Sequence, residues 1–182
     1  MNLVAYALRF YVPSSLRRRK LKSLFEATAK AFEVDVPSMN HLSYKRCLEK
    51  YALFTKEEVD KRLREGNDMH ETRTALYLHA YGLGKEIRER LGLKTTDDVL
   101  KVGRSLYRSI GIDFQGSSIG TVMIHSCFFS RFYSEGTCRV MSALDEGIAA
   151  GLSGGGKLSF SQRITEGKPC CEAYLEFEDL TE

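Results

Sequence analysis

The chain has 182 residues, 43% of them hydrophobic and 28% charged, which is the size and composition of one globular domain. At this length roughly 70% of the unfolded surface can be buried, so a core needs neither a metal nor disulfides and a cysteine cluster is free to serve a function. The 27 Lys and Arg against 24 Asp and Glu leave a formal charge of +3, too little for a surface that neutralises phosphates, and nucleic acid is not an expected partner.

The opening run Leu3–Val12 is apolar but short, is broken by Arg9, and has its basic residues behind it. It fits neither a signal peptide nor a membrane span. Five cysteines, an odd number, argue against a disulfide framework; the expectation is a cytoplasmic protein without a transmembrane segment. The run is expected to pack on the domain or across a two-fold interface, making a homodimer, with an interfacial helix on anionic lipid as the alternative. Basic residues crowd the start, where Arg17, Arg18, Arg19, Lys20 and Lys22 face Glu26, and acids the end, from Glu172 to Glu182.

Helical periodicity then dominates. Ser14 or Ser15 can cap a segment carrying Leu16, Leu21, Leu24, Phe25, Ala29 and Phe32, which ends before Pro37. Tyr44–Phe54 is a second helix. Thr55-Lys-Glu-Glu58 has the spacing of a capping box and predicts the start of a separate short helix that stops at Gly66. Asp68–Leu91 reads as the long central helix, loosened at Gly82 and Gly84 and terminated by Gly92. Thr95-Thr-Asp-Asp98 opens a further helix that Gly111 closes.

After Gly111 the period shortens. Ile119–Ser126 is apolar and β-branched, Thr137–Leu152 is a crossover helix, and Lys157–Thr165 and Cys170–Phe177 alternate as strands. Glu166-Gly-Lys168 joins the last two as a hairpin. The expected fold is α+β: a helical N-terminal half followed by a small, largely antiparallel sheet with one crossover helix. One domain covers 1–182, with 1–69 as a helical extension and 70–178 as the α+β region.

Two motifs fail. Gly151-Leu-Ser-Gly-Gly-Gly156-Lys157 matches a P-loop until Leu158 replaces the magnesium-holding Ser/Thr, and it leaves a helix for a strand, the reverse of the nucleotide-binding context. His70-Glu71 begins a zinc-protease motif, but position 74 is Thr where the second His should stand. What survives is a cluster late in the chain: His125, Cys127, Cys138, Asp145, Glu146, Arg163, Glu166 and the vicinal Cys170-Cys171. Cys127 and Asp145 can supply a nucleophile or ligand and a general base, and Arg163 can hold a substrate carboxylate through two hydrogen bonds. Cys138, in the first turn of its helix, has the dipole to lower its thiol pKa. Each has a plainer reading. Cys171 shares its strand face with Ala173, Leu175 and Phe177 as core, His125 is a hydrogen-bonded structural residue, Asp145 or Glu146 lies on a solvated helix face, and Arg163 pairs with Glu172 across the hairpin.

The stretch Cys127-Phe-Phe-Ser130, Cys138-Arg-Val-Met-Ser-Ala-Leu-Asp145-Glu-Gly147, Leu158-Ser-Phe160-Ser-Gln-Arg163, Glu166-Gly167 and Cys171 resembles the L-2-amino-thiazoline-4-carboxylic acid hydrolase family. The hairpin ending also resembles the 4-vinyl-reductase-type sensor domains, and the resemblance covers about residues 70–178. The hydrolase resemblance implies water addition to a cyclic amidine carboxylate, opening its ring. Asp145 or Glu146 would then be the base, Cys127 or Cys138 the acid for the departing thiolate, and Arg163 the partner of the substrate carboxylate, with His125 beside it. A zinc or iron ion held by Cys127, Cys138, Asp145 and His125 would serve equally, and the spacing requires none. The sensor resemblance implies a non-enzymatic domain whose cysteines line an apolar pocket for a small molecule, a tetrapyrrole among them. Either way the partner is a small-molecule ligand or substrate.

Overall fold

The computed structural model describes residues 14–177, with side chains from Arg17 onward. The run Leu3–Val12 and the cap expected from Ser14 or Ser15 lie outside these described side chains. Five helices precede or cross a four-stranded sheet: α1 Ser14–Ala31, α2 Tyr44–Glu65, α3 Met69–Leu91, α4 Thr96–Ser109, β1 Ile112–Gly116, β2 Thr121–Cys127, α5 Glu135–Ser153, β3 Lys157–Gln162 and β4 Cys171–Glu176. The sheet order is β1-β2-β4-β3, every neighbouring pair antiparallel. The protein is α+β, as expected. No helix among the described residues is long and apolar enough to cross a membrane.

The helix ends follow local chemistry. Asp68 caps α3 by accepting from the His70 amide, and Gly92 closes it in the left-handed region at φ 62°. Thr95 and Asp98 form a reciprocal capping box at the start of α4. The box expected at Thr55 does not exist, because α2 runs unbroken from Tyr44 to Gly66. Thr55 is fully buried, and its hydroxyl reaches back to the Tyr51 carbonyl at 2.9 Å and across to the Tyr133 hydroxyl at 2.6 Å. Tertiary partners for the hydroxyl override the capping signal.

The long helix is not loosened at its glycines. A Cβ at Gly84 would lie 2.6 Å from the Ile148 carbonyl, and Cβ atoms at Gly147 and Gly151 would lie 2.3 Å from the carbonyls of Tyr77 and Tyr81. The three glycines bring α3 and α5 backbone to backbone, a distance that any side chain would forbid. This pairing buries one side of α5, with Val140 and Ala143 against Leu76 and Ala80. The opposite side of α5 faces the sheet.

The sheet starts directly after Gly111, where the period changes, with a strand that the pattern did not mark: β1, whose five residues pair with β2. Its alternating burial is too short to register in the sequence pattern. The expected hairpin is present, with β3 and β4 antiparallel, but β3 ends at Gln162 and Ile164–Glu166 forms a 3-10 turn. Phe25 and Tyr51 from α1 and α2 join Val122, Ile124, Leu158, Ala173 and Leu175 in one hydrophobic cluster, so residues 17–65 share their core with the sheet.

Candidate functional site

Between the sheet, α1, α4 and the free face of α5 lies a cavity of about 150 Å³. Cys138, Met141, Ser142, Leu144, Asp145 and Ile148 line it from α5, positions that recur at helical spacing on one side of that helix. Tyr107 and Leu106 contribute from α4, Lys20 and Leu24 from α1, Tyr51 from α2, and Cys127, Phe129, Ile164 and Cys171 from the sheet and its turns. The walls are mostly aliphatic and aromatic, and Lys20 and Asp145 are the charged groups among them.

A single irregularity in β2 puts Cys127 inside. Asp113 pairs with Ser126 and Phe114 with Ile124, which leaves His125 as an extra residue, a β-bulge. Val122 and Ile124 point inward, His125 and Ser126 are both exposed, and the phase resumes with Cys127 toward the cavity. His125 therefore stands on the outer face of the sheet and takes no part in the site. Among the described residues no three His, Cys, Asp or Glu side chains converge to hold a metal ion. The proposed ligand set of Cys127, Cys138, Asp145 and His125 is thus divided between two faces and does not fit zinc or iron.

Asp145 is the polar centre. Its Oδ1 accepts the Tyr107 hydroxyl at 2.8 Å, and no other hydrogen bond of the described residues reaches the carboxylate. Burial pushes its pKa up to about 6, against the Tyr107 hydrogen bond and with the nearby Glu146 charge adding to the rise. Its only open side is the cavity wall. The same burial, with the Asp145 charge beside it, holds the Tyr107 phenol well above its ordinary range, so this hydroxyl is a fixed donor.

The thiols are driven the same way. Burial pushes Cys127 up to about 12, and the amides of Phe129 and Ser130 only partly offset it. Burial also raises Cys138, against the neighbouring Thr165 hydroxyl, and Cys171, against the Ile164 amide that donates to its sulfur at 3.4 Å. The helix dipole expected to activate Cys138 is outweighed by its enclosure. These cysteines are neutral thiols at physiological pH, not nucleophiles.

Two expected residues are elsewhere. Glu146, one step round α5 from Asp145, takes a two-pronged hydrogen bond from the Arg73 guanidinium, both contacts 2.8 Å, and faces α3. Arg163 does not line the cavity. It donates to the Ser142 hydroxyl at 3.2 Å, lies over the Phe160 ring at 4.7 Å and pairs with Glu166 at 3.5 Å. Glu166 in turn takes the Arg163 amide and pairs with Arg139. Arg163 thereby locks the 3-10 turn to α5, and its charge is felt in the cavity by Asp145, Cys138 and Cys171, lowering the pKa of each against the rise that burial causes. The expected pair with Glu172 is not formed.

Of the expected constellation, then, Cys127, Cys138 and Asp145 meet in one cavity, and His125, Glu146 and Arg163 do not. Comparison adds nothing to this set. The chain matches no protein-family model and no curated protein.

Sequence reasoning missed Tyr107 and Lys20. Tyr107 sits on the apolar stripe of α4 beside Leu100, Val102 and Leu106, and a tyrosine there needs a partner for its hydroxyl once buried. That requirement was the available signal. Lys20 is one of a basic run and nothing in the sequence separates it from Arg19 or Lys22. In the fold it is half-buried, with burial lowering its pKa and the Arg90 charge adding to that.

Proposed function

We propose that the protein is a binding domain for a small apolar molecule held in the cavity between α5 and the sheet. The observation that supports this is the cavity itself. The pocket offers about 150 Å³, is partly open to solvent and is walled mainly by apolar side chains, and an apolar space of this size accepts a benzene-sized guest. A ligand seated there buries most of its apolar surface against these walls, which is favourable by about 25 cal/mol per Å². The 150 Å³ between the walls suits a compact ligand as the occupant of this reading. The five cysteines are free thiols, which suits a reducing compartment and therefore the cytoplasm.

Titration calorimetry with toluene tests the reading. Saturable one-to-one binding to the wild-type protein is expected, with loss of binding in Leu106→Trp, whose ring would fill the cavity from α4. Absence of binding to the wild-type protein would refute it.

A second reading rests on the cavity-facing Asp145 carboxylate and its single partner Tyr107: burial pushes its pKa up to about 6, suited to general-base catalysis near neutrality. The resemblance to thiazoline-carboxylate hydrolases would then extend to chemistry. Two features weigh against it. Arg163 is engaged by Ser142 and Glu166, and a thiol at about 12 protonates a departing thiolate of ordinary pKa about 8.5 only against roughly 5 kcal/mol. Turnover of 2-amino-thiazoline-4-carboxylate that vanishes in Asp145→Asn would establish this reading over the first.

A further inference from the structure

The ligand-binding reading leaves one wall of the cavity unexplained. Asp145 projects from α5 among Leu144, Ile148, Ile112 and Cys127, and its single hydrogen bond comes from Tyr107 at 2.8 Å. No cation of the described residues pairs with it: Arg73 is held by Glu146, Arg163 by Glu166, and no ion pair joins Lys20 to it. A carboxylate in apolar surroundings with one neutral donor is poorly satisfied. It retains a proton, or it is completed by a positive charge brought from outside. The neutral thiols around it offer no such charge, and an anionic guest would be repelled from this end.

We infer that the cavity is built for a compact apolar ligand carrying a cationic nitrogen, an ammonium group on a body about the size of one six-membered ring, with its N–H groups on the Asp145 carboxylate. This inference rests on the ligand-binding reading and specifies its chemistry. The size follows from the 150 Å³ available, the apolar body from the surrounding aliphatic and aromatic walls, and the charge from the unpaired carboxylate. Tyr107 fixes the side chain by occupying Oδ1, so Oδ2 is the atom left for the ligand. A charge-assisted contact of this kind is about twice as strong as a neutral one, and it discriminates between an amine and its uncharged isostere.

Three probes of one shape test it: benzylamine, benzyl alcohol and toluene, each titrated calorimetrically into the full chain at neutral pH. Benzylamine is expected to bind at least tenfold more tightly than benzyl alcohol, and Asp145→Asn is expected to erase that preference while still binding toluene. Benzyl alcohol and benzylamine binding equally to the wild type would overturn the inference and leave the binding reading standing. A preference retained in Asp145→Asn would also overturn it, since the charge would then be read elsewhere. Failure of all three probes to bind would remove both. A measurement that needs no variant is the side-chain carboxyl 13C resonance of Asp145 in the wild type, which must move on adding benzylamine and stay in place with toluene; movement with neither would count against the assignment.

Discussion

Asp145 carries a cost that the fold accepts at one position. Burial lifts its carboxyl from the ordinary aspartate value of 3.8 to about 6 in the fold. A raised carboxyl pKa means that the native state binds the proton more tightly than the unfolded state. The contribution is therefore favourable at low pH and is lost as pH climbs from about 4 to about 6. Two pKa units correspond to roughly 3 kcal/mol. Removing the charge as Asp145→Asn recovers that amount above pH 6, less about 1 kcal/mol for the altered Tyr107 hydrogen bond. Urea denaturation of the ligand-free protein should accordingly show the Asn variant about 2 kcal/mol more stable than wild type at pH 7.5, and no more stable at pH 4. An equal difference at both pH values would mean that Asp145 is solvated in the native state. A residue this unfavourable to stability, facing a cavity, is the behaviour expected of a site kept for binding.

At the scale of elements, the contact between α3 and α5 decides where that carboxylate sits. With Gly84, Gly147 and Gly151 drawing the two backbones together, α5 is pinned on one side, and Asp145 can only face the other. Substituting Gly147 or Gly151 by Ala puts a Cβ 2.3 Å from a carbonyl oxygen, so the helices must separate, and a loss of more than about 2 kcal/mol is expected. Gly82, exposed on the same α3 with nothing within 4 Å of a built Cβ, is the control: Ala there should be neutral or stabilising by up to about 1 kcal/mol. Thermal melts of the three variants check this, and an equal effect at positions 82 and 147 would contradict the close contact. The pair also shows what sequence reading could and could not resolve. Gly92 and the helix start at Thr95 act locally and are legible as they stand. Gly84 reads as a weak point because its role depends on Ile148 and Gly151, more than 60 residues later. Thr55 failed for the same reason, its hydroxyl answering to Tyr133 and not to its own backbone amides. The phase of β2 was equally hidden, since only its pairing with β1 reveals that His125 is the bulged residue.

For the molecule as a whole, the cavity exists because a helical layer and a sheet meet without filling the space between them, and residues distant in sequence close it. Lys20, Tyr51, Tyr107 and Cys127 come from four different elements. The clustering of reactive residues after position 125 pointed to the right region, and the seven-residue spacing of Cys138 and Asp145 placed both on one face of α5, about 10 Å apart along its axis. What the spacing could not carry was which charges would be consumed elsewhere: Arg163 by Glu166 and Ser142, and Glu146 by Arg73. That partition removes the substrate-carboxylate clamp and leaves a mostly apolar chamber whose charged walls are Asp145 and the half-buried Lys20, an arrangement that supports the proposed binding reading over the hydrolytic one. The isoleucines offer a direct test. Ile87, Ile110, Ile112, Ile148 and Ile164 line the cavity, while Ile124 is buried outside its lining and Ile119 is 74% exposed. Toluene titrated into protein labelled with 13C at the isoleucine methyls should move the five cavity signals saturably and leave those of Ile119 and Ile124 in place; shifts that fail to saturate, or that spare the five, would contradict a ligand site in this cavity.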